Sequence, residues 1–138
     1  MPKRYRVDLL QDQLAGLCRR VDGIEQAVVV SLDGFVAASY PPAAGDDTPL
    51  ASPNVAATAA NAISLGENAL SRLDHGRFQR LIIEGETGAM IIYPIGRPGA
   101  ALVAVVRRDS KMGLVSHAMR QITANLAAIL ESGAAASD

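Results

Sequence analysis

Apolar residues fall at Val7, Leu10, Leu14, Leu17, Cys18 and Val21, the three-and-four spacing of an amphipathic helix. Asp8 followed by Gln11 resembles a capping box, and Gly23 stands where such a helix must stop. The period then changes. Ala27 to Leu32 and Phe35 to Tyr40 are β-rich runs separated by Asp33-Gly34, a hairpin signal that predicts a type I′ turn with positive φ at both central residues. The proline-containing stretch from Tyr40 to Pro53, with Gly45 and the pair Asp46-Asp47, reads as an exposed loop, its acidic pair solvated rather than chelating. Ser52 and Pro53 then supply an N-cap and a first helical residue for a helix to about Asp74, closed by His75 and by Gly76 as the left-handed cap.

That middle helix is apolar over more than one stripe. Val55, Ala59, Ala62, Gly66, Ala69 and Leu73 form a small-residue seam that permits close approach of another backbone. Beside it run Ala56, Ala60, Ile63 and Leu70. One strip is expected to face a sheet and the other a neighbouring helix, unless the whole face is core.

Three more β-rich runs follow, Phe78 to Glu84, Gly88 to Pro94 and Ala100 to Arg107, with connections short enough to make antiparallel neighbours. The last is continuously apolar from Ala100 to Val106, which predicts a central strand covered on both faces. Asp109-Ser110 is expected to cap a final helix through Met112, Val115, Met119, Ile122, Leu126 and Ile129 to about Glu131. Residues from Gly133 to Asp138 read as a flexible tail. The order α-β-β-α-β-β-β-α predicts an α/β protein, a three-layer α/β/α profilin-like arrangement around a five-stranded antiparallel sheet. A single domain is expected over 1–138, with its core in 8–131.

Length and composition agree: the chain has 138 residues, 49% of them apolar, enough for one sizeable core. With 13 Lys+Arg against 14 Asp+Glu it lacks the basic excess of a nucleic-acid binder. No apolar run is long enough for a membrane span, and the basic first residues lead into a helical pattern rather than a secretory signal. A lone cysteine, Cys18, forms no internal disulfide and suits a reducing compartment, so a cytoplasmic location is expected.

Catalytic chemistry finds little support. His75 and His117 have no neighbouring serine or cysteine motif, and the sequence has neither a phosphate-binding P-loop nor a zinc motif. Cys18 lies among apolar helical positions, as a buried small hydrophobe would. Arg72, Arg77 and Arg80 gather at the helix-to-strand corner, either as a contact for an acidic partner or as solvated surface. No catalytic, cofactor or metal residue is assigned. Function is expected in a binding surface.

Gly23-Ile24 before Ala27-Val28-Val29-Val30-Ser31, the turn segment Leu32 to Ala38, the Ala-rich middle helix, Leu102 to Val106 and Gly113-Leu114-Val115 together resemble the Roadblock family of dynein-light-chain and bacterial gliding-regulator domains. The resemblance spans Asp8 to Glu131. It implies a homodimer or heterodimer in which middle helices pack together and third strands pair, through Ala59, Ala62, Gly66, Ala69, Phe78, Arg80 and Ile82. It also implies binding to a Ras-like small GTPase, as activator or scaffold, and the exposed middle-helix residues Asn61, Ser64, Leu65 and Asn68 are the expected contact. A reading from another class is a small-molecule sensor of related profilin or PAS-like architecture, which needs polar groups converging in a pocket between sheet and helix.

Overall fold

The computed structural model describes residues 2–42, 53–96 and 99–136. Its elements are α1 (Pro2–Arg20), β1 (Ile24–Ser31), β2 (Phe35–Tyr40), α2 (Pro53–Arg72), β3 (Leu81–Glu84), β4 (Gly88–Pro94), β5 (Ala100–Arg107) and α3 (Met112–Ala136). The predicted α-β-β-α-β-β-β-α order holds. The sheet is antiparallel throughout, in the order β2-β1-β5-β4-β3, so the continuously apolar strand is central as expected.

Alternation along the strands divides the interior in two. Ala27, Val29, Leu102, Ala104, Ile91 and Tyr93 point to one face, where Leu10, Leu14 and Leu17 of α1 and Val115, Met119, Ile122 and Leu126 of α3 cover them. Val28, Val30, Ala101, Val103 and Ile92 point to the other, where α2 lies with Ala56, Ala59 and Ile63 buried. This gives three layers. The Tyr93 hydroxyl donates to the Ser116 carbonyl at 3.3 Å and ties β4 to α3.

Several element ends differ from expectation. Helix α1 starts at Pro2, so Asp8 lies inside it and caps nothing, because the helical backbone is already running when it is reached. The β1–β2 connection spans three residues: Ser31 pairs with Phe35, the Gly34 amide donates to the Ser31 carbonyl at 3.0 Å, and Gly34 alone has positive φ. A two-residue type I′ turn is therefore replaced by the three-residue loop in which glycine takes the left-handed position. At the end of α2 the left-handed residue is Asp74 (φ 54°), not Gly76 alone. The Asp74 amide donates to Ser71 and that of His75 to Leu70, the two bonds of a Schellman closure.

Helix α3 opens at Met112, with the Leu114 and Val115 amides donating to the Lys111 carbonyl. Asp109 and Ser110 do not cap it: Asp109 accepts from Arg107, and the Ser110 hydroxyl is buried against Gly23 without a hydrogen-bond partner. The helix continues past Glu131 through Gly133 to Ala136, where a tail was expected. Strand β3 begins at Leu81 rather than Phe78, which precedes it in an irregular segment. The expectations for Asp46-Asp47 and the Ser52 cap lie outside the described residues.

Small residues on α2 let it sit close to its own chain. A Cβ built on Gly66 would stand 2.7 and 2.8 Å from two ring carbons of Phe78, whereas one built on Gly16 in α1 meets nothing within 4 Å. In a helix interior alanine gains about 1 kcal/mol over glycine, but overpacking costs roughly 1–3 kcal/mol. Gly16→Ala is thus expected to raise the urea midpoint, and Gly66→Ala to fail to raise it or to lower it; equal gains at both positions would show that the Phe78 ring yields freely.

Candidate functional site

The two edges of the sheet are treated differently. At β2, the Ser39 amide is taken by the Gln11 side-chain oxygen of α1 at 2.8 Å. At β3 no such cover exists among the described residues. The Gly85 amide donates to the Gly88 carbonyl at 2.7 Å, and alternation from that pair along the β3–β4 ladder turns the N–H and C=O groups of Ile82 and Glu84 outward. Four residues long and rich in apolar side chains, β3 presents an open edge.

Ile82 is half-buried toward α3, and Leu81 is half-buried on the α2 side. Ile83 is 45% exposed, though it lies on the same face of the sheet as Leu81. Leu65 on α2 is 72% exposed, and Leu73, just past the end of that helix, is 63% exposed. Helix α2 and the β3 edge thus form one region in which large apolar side chains stay in water.

The expected site residues distribute unevenly across this region. Asn61, Ser64, Leu65 and Asn68 are all exposed on the outer face of α2. Of the residues expected at a dimer contact, Ala69 and Arg80 are exposed, and Ala62 and Ile82 are half-buried. Ala59 is buried against the chain's own sheet, and Gly66 is covered by the buried Phe78 ring. The seam and the parallel strip therefore do not divide into a sheet-facing and a partner-facing row. The sheet-facing stripe takes Ala59 from one and Ala56 and Ile63 from the other, because positions i, i+3 and i+7 share a helix face.

A cleft of about 520 Å³ opens where β4 runs on beyond the short β3, lined by Glu67, Arg77, Phe78, Arg80, Tyr93 and Arg120. Arg77 and Arg80, picked out in the sequence, share it with Arg120 of α3, while Arg72 is not in its lining. Nothing in the chain order signals Arg120, which only the packing of α3 brings beside the loop. Exposed Ile83 and Glu84 were missed for a related reason: a buried strand and an edge strand look alike in sequence until the neighbour is known.

Two titratable groups are clearly displaced, Arg107 upward by its hydrogen bonds to Asp22 and Asp109, and Cys18 upward by burial. His75 and His117 are exposed on separate elements, and no cluster of three metal-ligating side chains occurs among the described residues. Cys18 packs against the α1–α3 core, where burial pushes its thiol up to about 11. The folded protein holds that proton more tightly than the unfolded chain, so the associated stability is present below the unfolded pKa, near 9, and is lost as pH rises toward 11. Alkylation of Cys18 at pH 8 is expected to be at least tenfold slower in the native protein than in urea; equal rates would show an accessible thiolate.

Among the described residues, polar groups converge at one end of the α1–α3 layer, where Asp22, Arg107, Ser110 and His117 line a cleft of about 500 Å³, and not within the layers themselves. Ser39 is the buried polar residue there among the described residues, and its amide is already bonded to Gln11.

A family model described as the Roadblock/LC7 domain matches residues 10–106. No curated protein matches the chain. Among solved structures, a Roadblock/LC7 domain from Streptomyces avermitilis shares 23% identity, covering 88% of this chain and 97% of that one with a TM-score of 0.76. The gliding protein MglB from Thermus thermophilus also shares 23% identity, covering 92% of each chain with a TM-score of 0.78. The profilin-like description holds too, with profilin II from Acanthamoeba castellanii at 17% identity, 86% of this chain, 96% of that one and a TM-score of 0.56. With most of its length matched by the family model and the fold reproduced by these structures, the chain belongs to the Roadblock/LC7 domain family.

Proposed function

We propose that this protein is a non-catalytic dimeric regulator or scaffold that pairs through the β3 edge and α2, and whose paired α2 helices bind a Ras-like small GTPase. The observation that carries the reading is the asymmetry of the sheet: β2 has its edge amide at Ser39 occupied by Gln11, while β3 is open and flanked by exposed Ile83, Leu65 and Leu73. An open apolar edge beside an apolar helix face is suited to continuing the sheet with another chain. Family membership adds the GTPase class of partner, which the resemblance already implied. Asn61, Leu65 and Asn68 share one helical stripe that pairing would double into a composite surface. The β3 edge with the Ala62 and Ala69 side of α2 makes the dimer, and the outer face of α2 at Asn61, Leu65 and Asn68 meets the partner.

Light scattering at micromolar concentration tests the first half, with a mass of at least twice 14.4 kDa expected. Calorimetric titration with small GTPases loaded with di- or triphosphate tests the second, with tighter binding to one state expected. A monomer that binds neither state overturns the reading. Nucleotide hydrolysis by the isolated protein would overturn its non-catalytic part.

A further inference from the structure

The open edge reads Arg80-Leu81-Ile82-Ile83-Glu84, basic at one end and acidic at the other. Arg80, Ile82 and Glu84 alternate onto the sheet face that α3 covers, and Arg80 and Ile82 line a common cleft with α3 residues Ser116, His117 and Arg120. Both charged residues are exposed, and among the described residues the ion pairs belong to Arg107, with neither Arg80 nor Glu84 taking part in one. Near the acidic end the Arg108 guanidinium is held by the Glu86 carbonyl at 2.9 Å rather than by a carboxylate. The edge therefore carries a dipole of side-chain charge, its basic end joined by Arg77 and Arg120 in a cleft whose lining includes one carboxylate, that of Glu67.

Resting on the dimer reading above, we infer that the two β3 edges meet in one antiparallel register, centred on Ile82, with Arg80 facing Glu84 of the partner subunit on both sides of the two-fold axis. Residues directly opposite in an antiparallel pair share a face, so a two-fold axis normal to the sheet allows only registers in which one residue faces its own copy. Centred on Ile82, Ile82 meets Ile82, Leu81 meets Ile83, and Arg80 meets Glu84. Centred on Leu81, Ile82 would face Arg80; centred on Ile83, it would face Glu84. Each of those places a charge against isoleucine; the first sets Glu84 opposite Phe78, and the second sets Arg80 opposite Glu86, which lies in the β3–β4 connection beyond the end of the strand. The Ile82 register also matches the backbone, since the outward N–H and C=O groups of Ile82 and Glu84 fall in hydrogen-bonded positions. A strand whose charges are self-complementary in this way selects its own copy over a differently charged relative.

Charge exchange at the two exposed positions tests this. Arg80→Glu and Glu84→Arg are each expected to weaken dimerisation by roughly tenfold to a hundredfold, because every symmetric dimer then contains two like-charge pairs. The double variant restores both pairs and is expected to return to within about threefold of wild type. Mixing the two single variants is expected to give a heterodimer, separable by ion exchange, since each interface then holds two opposite-charge pairs. As a direct reading of register, Ile82→Cys is expected to crosslink to its own copy under mild oxidation. Glu84→Cys is not, as its copy would lie about four residues, or ~13 Å, along the strand. Circular dichroism confirms that each variant is folded. A wild-type dimer that is indifferent to all the charge variants, or single defects that the double variant does not repair, or crosslinking of Glu84→Cys in place of Ile82→Cys overturns the register while the dimer reading stands. A monomeric wild type overturns both.

Discussion

Leu65→Arg is expected to lower affinity for a small GTPase by roughly tenfold to a hundredfold while leaving the fold and the dimer intact. Leu65 is 72% exposed on the outer face of α2, flanked by exposed Asn61, Ser64 and Asn68, so its side chain adds nothing to the chain's own core. Enclosing a leucine at a contact is worth about 1.5–3 kcal/mol, and a guanidinium in the same place would be desolvated without a partner. Gly66→Glu, one residue on, is a poor probe of the same surface, because a side chain there collides with the Phe78 ring and disturbs the protomer itself. Calorimetric titration beside circular dichroism and light scattering decides the matter. Unchanged affinity with unchanged mass and ellipticity would remove Leu65 from the contact and point to the α1–α3 side, where Leu114 is 58% exposed.

Leu102→Ala is expected to have the largest effect on stability, a loss of about 2–5 kcal/mol. Leu102 lies on the central strand β5, paired with Val29 on one side and Tyr93 on the other, and is fully buried in the cluster that α1 and α3 close. Its neighbours are held by ladders on both sides, so the sheet cannot collapse into the vacated volume. Against a total stability of about 5–15 kcal/mol for a protein of this size, that loss is large. Urea unfolding should show a lower midpoint at unchanged slope. Leu114→Ala, a control on exposed surface, should stay within about 0.5 kcal/mol. Comparable midpoints for the two variants would mean that β5 is not the mechanical centre of the sheet.

Strand β5 also marks where reading the sequence was sufficient. Its unbroken apolar run from Ala100 to Val106 can be satisfied only with both faces covered, and it lies between β1 and β4 with helices on either side. The same holds for β4 and for the order of all eight elements, because periods of two and of three to four residues are properties of local geometry that no packing partner needs to supply. Leu65 as an exposed side chain was likewise legible from helical spacing, while Cys18, expected to be buried, is half-buried against the core.

Other features belong to the tertiary structure. Asp8 has the chemistry of a cap and sits within a helix, while Ser110 has the same chemistry and is buried against Gly23. A capping side chain records what a residue can bond, and packing decides whether a helix ends there. The alanine and glycine seam of α2 promised close approach without saying to what, and at Ala59 and Gly66 the answer is the chain's own sheet and Phe78. Strand position was equally silent: Leu81 to Glu84 reads like any short apolar strand, and only the order β2-β1-β5-β4-β3 places it at an open edge while Gln11 blocks the edge at the other end. Local periodicity determined the elements and their buried faces, because these depend on residues within a few positions of one another. Which edge is free, and which charges meet at it, depends on contacts between residues far apart in the chain, and these exist only once the layers have packed.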